Sequence, residues 1–157
     1  MSGLLIRTQS LIEDCEAFLI EKDALGSAIE SYLVQHALVV MCAEIQQEIC
    51  LIAEKRAAEI SDSQIESFVG SASRRILRSV MKEELSSFVG HFGKEVKDKF
   101  NELCEDRTVT TYNNAVRNRH RVAHRSGAQV TLRELNDAKD AAFTLLDAVN
   151  TSIRHSE

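Results

Sequence analysis

The chain has 157 residues, of which 44% are hydrophobic and 27% charged, a globular composition with enough apolar side chain for a real core. It has no proline and no tryptophan, only six glycines and 5% aromatics, which argues against the turn-rich, aromatic-rich all-β folds. The net charge of −5 argues against a general nucleic-acid binder.

In chain order, the first helical stretch runs from Leu4 to about Lys22. Leu11, Ile12, Cys15, Phe18 and Leu19 recur there at helical spacing between Glu13, Asp14, Glu16 and Glu21. A break follows at residues 23–27, and Ser27 with Glu30 reads as a capping box. The second helix spans about Ala28 to Ile60. Its section Leu33 to Ala43 is apolar nearly all round and is expected at the bundle centre, while Glu44, Gln46, Gln47, Glu48 and Glu54 restore a wet face. Asp62 or Ser63 caps a shorter helix, interrupted at Gly70-Ser71. Residues 72–85 read as helix again, 86–93 as loop, and Lys94 to about Cys104 as helix. A further helix runs from Thr108 to about Arg125 and is ended by Ser126-Gly127. Thr131 and Glu134 form a capping box for a last helix to about Arg154. No repeat, low-complexity tract or linker divides the chain. The expectation is a single domain over 1–157, all-α, an antiparallel helical bundle of about five to seven helices.

No stretch reads as the ~20 apolar residues of a membrane span, and the N-terminus lacks a signal peptide's basic start, so no membrane partner is expected. Cys15, Cys42, Cys50 and Cys104 form no CxxC pair and read as reduced, mostly buried thiols of a cytoplasmic protein. None has an obvious base partner, so a cysteine nucleophile is weakly supported.

The charges are separated along the chain. Residues 107–133 hold six Arg and no Lys, Asp or Glu, whereas the other 130 residues hold 13 basic and 24 acidic side chains. An arginine-only segment in an acidic protein suits an anionic ligand such as phosphate, because guanidinium forks match phosphate oxygens. Within it, Arg117, His120, Arg121 and His124 share one helix face, and Arg119 lies about 140° around the helix from His124. Histidine moves protons near neutral pH and arginine steadies developing negative charge. An Arg and a His on a basic face are therefore enough for metal-free RNA cleavage, one option among several. The same arginines could be a solvated or acid-paired face. His120 and His124 form an HxxxH pair, but a third zinc ligand is not evident and the arginines oppose a dication; no metal or other cofactor is expected. His36 reads as a core or subunit-contact histidine, and His91 and His155 as loop and tail.

The string Arg119-His120-Arg121-Val122-Ala123-His124 is an R-x4-H motif with a polar second position. It sits at the end of the penultimate helix and is followed by the capped last helix. In this it resembles the HEPN superfamily, and its apolar second helix resembles the RiboL-PSP-like branch. The resemblance implies a HEPN-like bundle acting as a metal-independent endoribonuclease, usually a homodimer whose two motifs face one another in a composite site. It implies that Arg119 holds the scissile phosphate, His124 transfers the proton and His120 supports the site. Asn is common where His120 stands, and the Gly usual directly after the His is displaced by Arg125-Ser126. Arg117-Asn118 offers a second frame with six intervening residues. Arg117, Asn118, Arg121 and Arg125 are expected to contact the RNA backbone, the arginines on electrostatic grounds. Such nucleases serve defence, stress response or toxin roles under a separate antitoxin or regulator. The alternative is a non-catalytic HEPN-like module binding RNA, nucleotide or a protein partner; a third is a plain helical interaction protein.

Overall fold

The computed structural model describes residues 4–122 and 130–154, without the side chains of 120–122. All regular structure among them is helix: α1 (Ile6–Glu21), α2 (Ala28–Ala58), α3 (Ser63–Ile76), α4 (Lys82–Gly90), α5 (Lys94–Leu103), α6 (Asp106–Val122) and α7 (Leu132–Arg154). Helix α2 packs against α1, α3, α6 and α7, and α7 against α1, α2, α4, α5 and α6. Their shared core includes Val34, Leu38, Met41, Ile45 and Ile49 of α2 with Leu135, Leu145, Leu146 and Val149 of α7.

Local capping sets several helix ends. The Ser27 hydroxyl accepts from the backbone N–H of Ile29, and Asp62 accepts from Gln64 and Ile65 at 2.9 and 3.2 Å. Thr131 and Glu134 form the expected reciprocal box: the Thr131 N–H donates to the Glu134 carboxylate at 2.8 Å, and the Glu134 N–H to the Thr131 hydroxyl at 3.2 Å. Gly26, at φ 75°, takes the left-handed turn between α1 and α2 that a Cβ would strain.

Other ends are capped from distant elements. Helix α1 has no side-chain cap of its own. Its first turn donates instead to Glu44 of α2, from the Arg7 and Thr8 backbones at 3.0 and 2.8 Å and from the Thr8 hydroxyl at 2.6 Å. Glu44 is therefore buried, not part of the wet face expected for it. Glu30 likewise departs from a simple capping box. Its carboxylate accepts from Gly26 and, across the bundle, from the backbone N–H of Leu132 at the start of α7, at 2.9 Å. These carboxylates satisfy N–H donors that a helix start leaves open, and the helix dipole favours their negative charge.

The middle third corrects the sequence reading most. Helix α3 runs straight through Gly70-Ser71. A Cβ at Gly70 would lie 2.9 Å from the Glu54 carboxylate, so the glycine lets α3 approach α2, and the Arg74–Glu54 ion pair at 2.6 Å closes the contact. The helix expected over 72–85 is broken at 77–81. Gln46 donates to the Leu77 carbonyl, Tyr112 to the Val80 carbonyl, and Asn113 of α6 accepts from the Lys82 N–H at 3.0 Å, capping α4. The loop expected over 86–93 is mostly α4, with a turn only at 91–93.

Helix α2 also differs from expectation. By length and composition it is apolar enough to cross a membrane, with a stretch of mean hydropathy 1.4, but 56% of that stretch is buried inside the bundle. It is not enclosed all round: Ile29, Tyr32, His36 and Val39 lie exposed along one side, so His36 is not a core residue.

Glu30 makes the fold pH-dependent. Backbone N–H groups of Leu132 and Gly26 hold its carboxyl below the ordinary value of 4.5, against the opposing effect of burial. A lowered folded pKa contributes stability that is full above the ordinary value and is lost as pH falls through the folded one. Glu30→Gln should cost about 1–2 kcal/mol in urea unfolding at pH 7, with a cost that shrinks as pH drops below 4.5. An equal cost at both pH values would contradict the charged cap.

Candidate functional site

The arginine-only segment lies largely on α6, whose turn of 3.6 residues sorts its side chains onto different sides. Tyr112, Val116 and Arg119 are spaced by four and three and share the face turned toward α2. Tyr112 and Val116 are fully buried, and Arg119, a turn further on, is half-buried. The Arg119 guanidinium lies against the Cys42 sulfur of α2 and donates a hydrogen bond to it. Among the described residues, no carboxylate pairs with Arg119 or Arg117. The acid-paired reading of these two arginines therefore finds no support there.

This setting disfavours the thiolate that Cys42 would need as a nucleophile. Burial pushes its thiol up from 9.0 to about 11, and the charge and hydrogen bond of Arg119 offset only part of that rise. The neighbouring Tyr112 hydroxyl is pushed well above its ordinary range, first by burial and then by Cys42. Arg119 thus rests on a neutral, polarizable sulfur that leaves the guanidinium's charge available to an anion.

Arg117 occupies the other side of α6. It is exposed and, with Thr111, Asn114 and Asn118, forms one wall of a cleft of about 480 Å³ whose other wall carries Glu134 and Asp137 of α7. The Asn118 side-chain amide donates back to the Asn114 carbonyl at 2.9 Å, leaving its oxygen for other donors. The two frames considered for the motif, Arg117 and Arg119, are therefore about 200° apart on the helix and face different neighbours.

His120 and Arg121 lie on the last turn of α6, with side chains outside the described residues. His124 and Arg125 lie outside them altogether, and so does the pairing of Arg119 with His124. Among the described residues no cluster of three His, Cys, Asp or Glu side chains is placed to hold a metal ion. Sequence reasoning missed Cys42 as the seat of Arg119, and Glu134 and Asp137 as a cleft wall. No local pattern links Cys42 to a residue so far along the chain. The i, i+3 spacing of Glu134 and Asp137 did carry a signal, since it places both on one face of α7.

The model of the RiboL-PSP-HEPN family matches residues 5–155, and the chain belongs to that family. HEPN domains are frequently ribonucleases. No curated protein and no solved structure matches the chain significantly.

The inert thiol is testable with a variant that keeps Cys42 as its only cysteine. Burial should lower its thiolate population, and so its labelling rate by a thiol reagent at pH 8, about 100-fold relative to the urea-unfolded chain. Labelling of the folded protein at the unfolded rate would contradict the burial of this sulfur.

Proposed function

We propose that this RiboL-PSP-HEPN chain is a metal-independent endoribonuclease. The observation that carries the reading is Arg119, held by α2 at the edge of the core with no carboxylate neutralising it among the described residues, five positions before His124. His124 serves as the base that removes the proton of a ribose 2′-OH. The 2′ oxygen attacks the adjacent phosphorus, a new O–P bond forms, the bond to the 5′ oxygen breaks, and that oxygen leaves as a hydroxyl with the proton that His124 took up. The products are a 2′,3′-cyclic phosphate and a 5′-hydroxyl, and no metal or cofactor takes part. Arg119 faces the phosphate oxygens, where charge accumulates in the transition state. His120 supports the site beside it. Arg117, Asn118, Arg121 and Arg125 hold the RNA strand, through contacts that position without reading sequence.

The active unit in this reading is a homodimer whose composite site draws on both motifs. An exposed apolar stripe on α2, with Tyr32 68% accessible beside Ile29 and Val39, offers a surface for such pairing. The setting is cytoplasmic, in defence, stress response or a toxin–antitoxin pair, with the regulator on a separate chain.

The test is cleavage of total cellular RNA in EDTA. Wild type should cleave, while Arg119→Ala and His124→Ala each lose about 100-fold or more in rate. Co-expressed as a mixed dimer, the two variants should regain part of the activity, because one composite site then keeps both groups. Cleavage retained by both single variants would overturn the assignment, and folded wild type that cleaves nothing would leave the family's non-catalytic binding role in its place.

A further inference from the structure

The α6–α7 cleft has two walls of opposite character. Arg117 stands on the α6 wall with the amides Asn114 and Asn118. Glu134 and Asp137 stand on the α7 wall, three residues apart on one face. The Glu134 carboxylate is held in place by the Thr131 backbone and hydroxyl, at 2.8 and 3.0 Å. Asp137 has no hydrogen bond or ion pair among the described residues. At about 480 Å³ the cleft is of ligand-binding size and larger than a single base needs.

The two walls dictate which way round a nucleotide enters. A phosphate is drawn to Arg117 and repelled by the carboxylates, so the base turns toward α7. Carboxylates only accept hydrogen bonds, so that wall demands donors. Guanine is the base that presents two adjacent donors on one edge, N1–H and the 2-amino group, matching the two oxygens of one carboxylate. Adenine and cytosine offer a single amino group beside an acceptor, which a carboxylate repels. Uracil offers one N–H between two acceptors.

We infer that the α6–α7 cleft is a guanine-selective subsite, with Asp137 as the residue that reads the base and Arg117 as its phosphate contact. This rests on the ribonuclease reading for its biological meaning but not for its binding chemistry. Arg119 lies on the opposite side of α6, so a strand reaching both must pass around the helix. The guanine in the cleft therefore belongs to a nucleotide flanking the scissile bond.

The test is equilibrium binding of 5′-mononucleotides to the intact chain by calorimetry or NMR titration. GMP should bind about tenfold tighter than AMP, CMP or UMP, and IMP, which lacks the 2-amino group, should fall most of the way toward them. Asp137→Asn should abolish the preference for guanine, while Arg117→Ala should weaken every nucleotide alike. Equal binding of all nucleotides, no binding at millimolar concentration, or a preference that survives Asp137→Asn would overturn the subsite. Because no step requires catalysis, RNA cleavage without GMP preference would sink the subsite alone. GMP selectivity without cleavage would sink the ribonuclease alone.

Discussion

Two carboxylates leave α2 for the interior and accept hydrogen bonds from the first turns of other helices: Glu44 at α1 and Glu30 at α7. A buried charge is costly unless it is met by donors, so each contact is satisfied in one placement of the partner helix and in few others. The two glutamates stand about 21 Å apart along α2, so α1 and α7 are pinned at separate heights on the same rod. Helix α7 in turn backs α6, and the Tyr112–Val116 side of α6 closes onto α2. The position of Arg119 against Cys42 is the last consequence of that chain of contacts.

Legibility in the sequence followed the range of the forces involved. Where a helix end is set by its neighbours, as with Ser27, Asp62 and the Thr131–Glu134 box, residue types and spacing were sufficient. The ends that escaped are set from across the bundle. The break at 77–81 exists because Gln46, Tyr112 and Asn113 take up its backbone groups, and nothing within 72–85 announces them. Gly70 looked like a breaker, yet its missing Cβ serves the approach of Glu54. Glu44 looked like a wet residue because hydropathy takes no account of a donor 36 residues away.

The candidate site shows the same division. Composition and spacing isolated the arginine-only segment, and the family match bears out the resemblance that the R-x4-H string suggested. Spacing favoured Arg119 and kept Arg117 as a second frame. Packing separates them, because a two-residue step on a helix sends one toward α2 and the other into the α6–α7 cleft. In the proposed reading the two sides of α6 take different roles: Arg119, seated against α2, for phosphate, and the α6–α7 cleft for a base.

The central claim is that the ribose 2′ oxygen is the attacking atom, with protein side chains alone assisting it. An RNA oligonucleotide with a single 2′-deoxy sugar at a mapped cleavage position tests this directly. With EDTA present, cleavage should vanish at the substituted position and persist at unsubstituted sites, with 2′,3′-cyclic phosphate ends. Undiminished cleavage at the deoxy position would contradict it, since the attacking oxygen would then have to come from elsewhere.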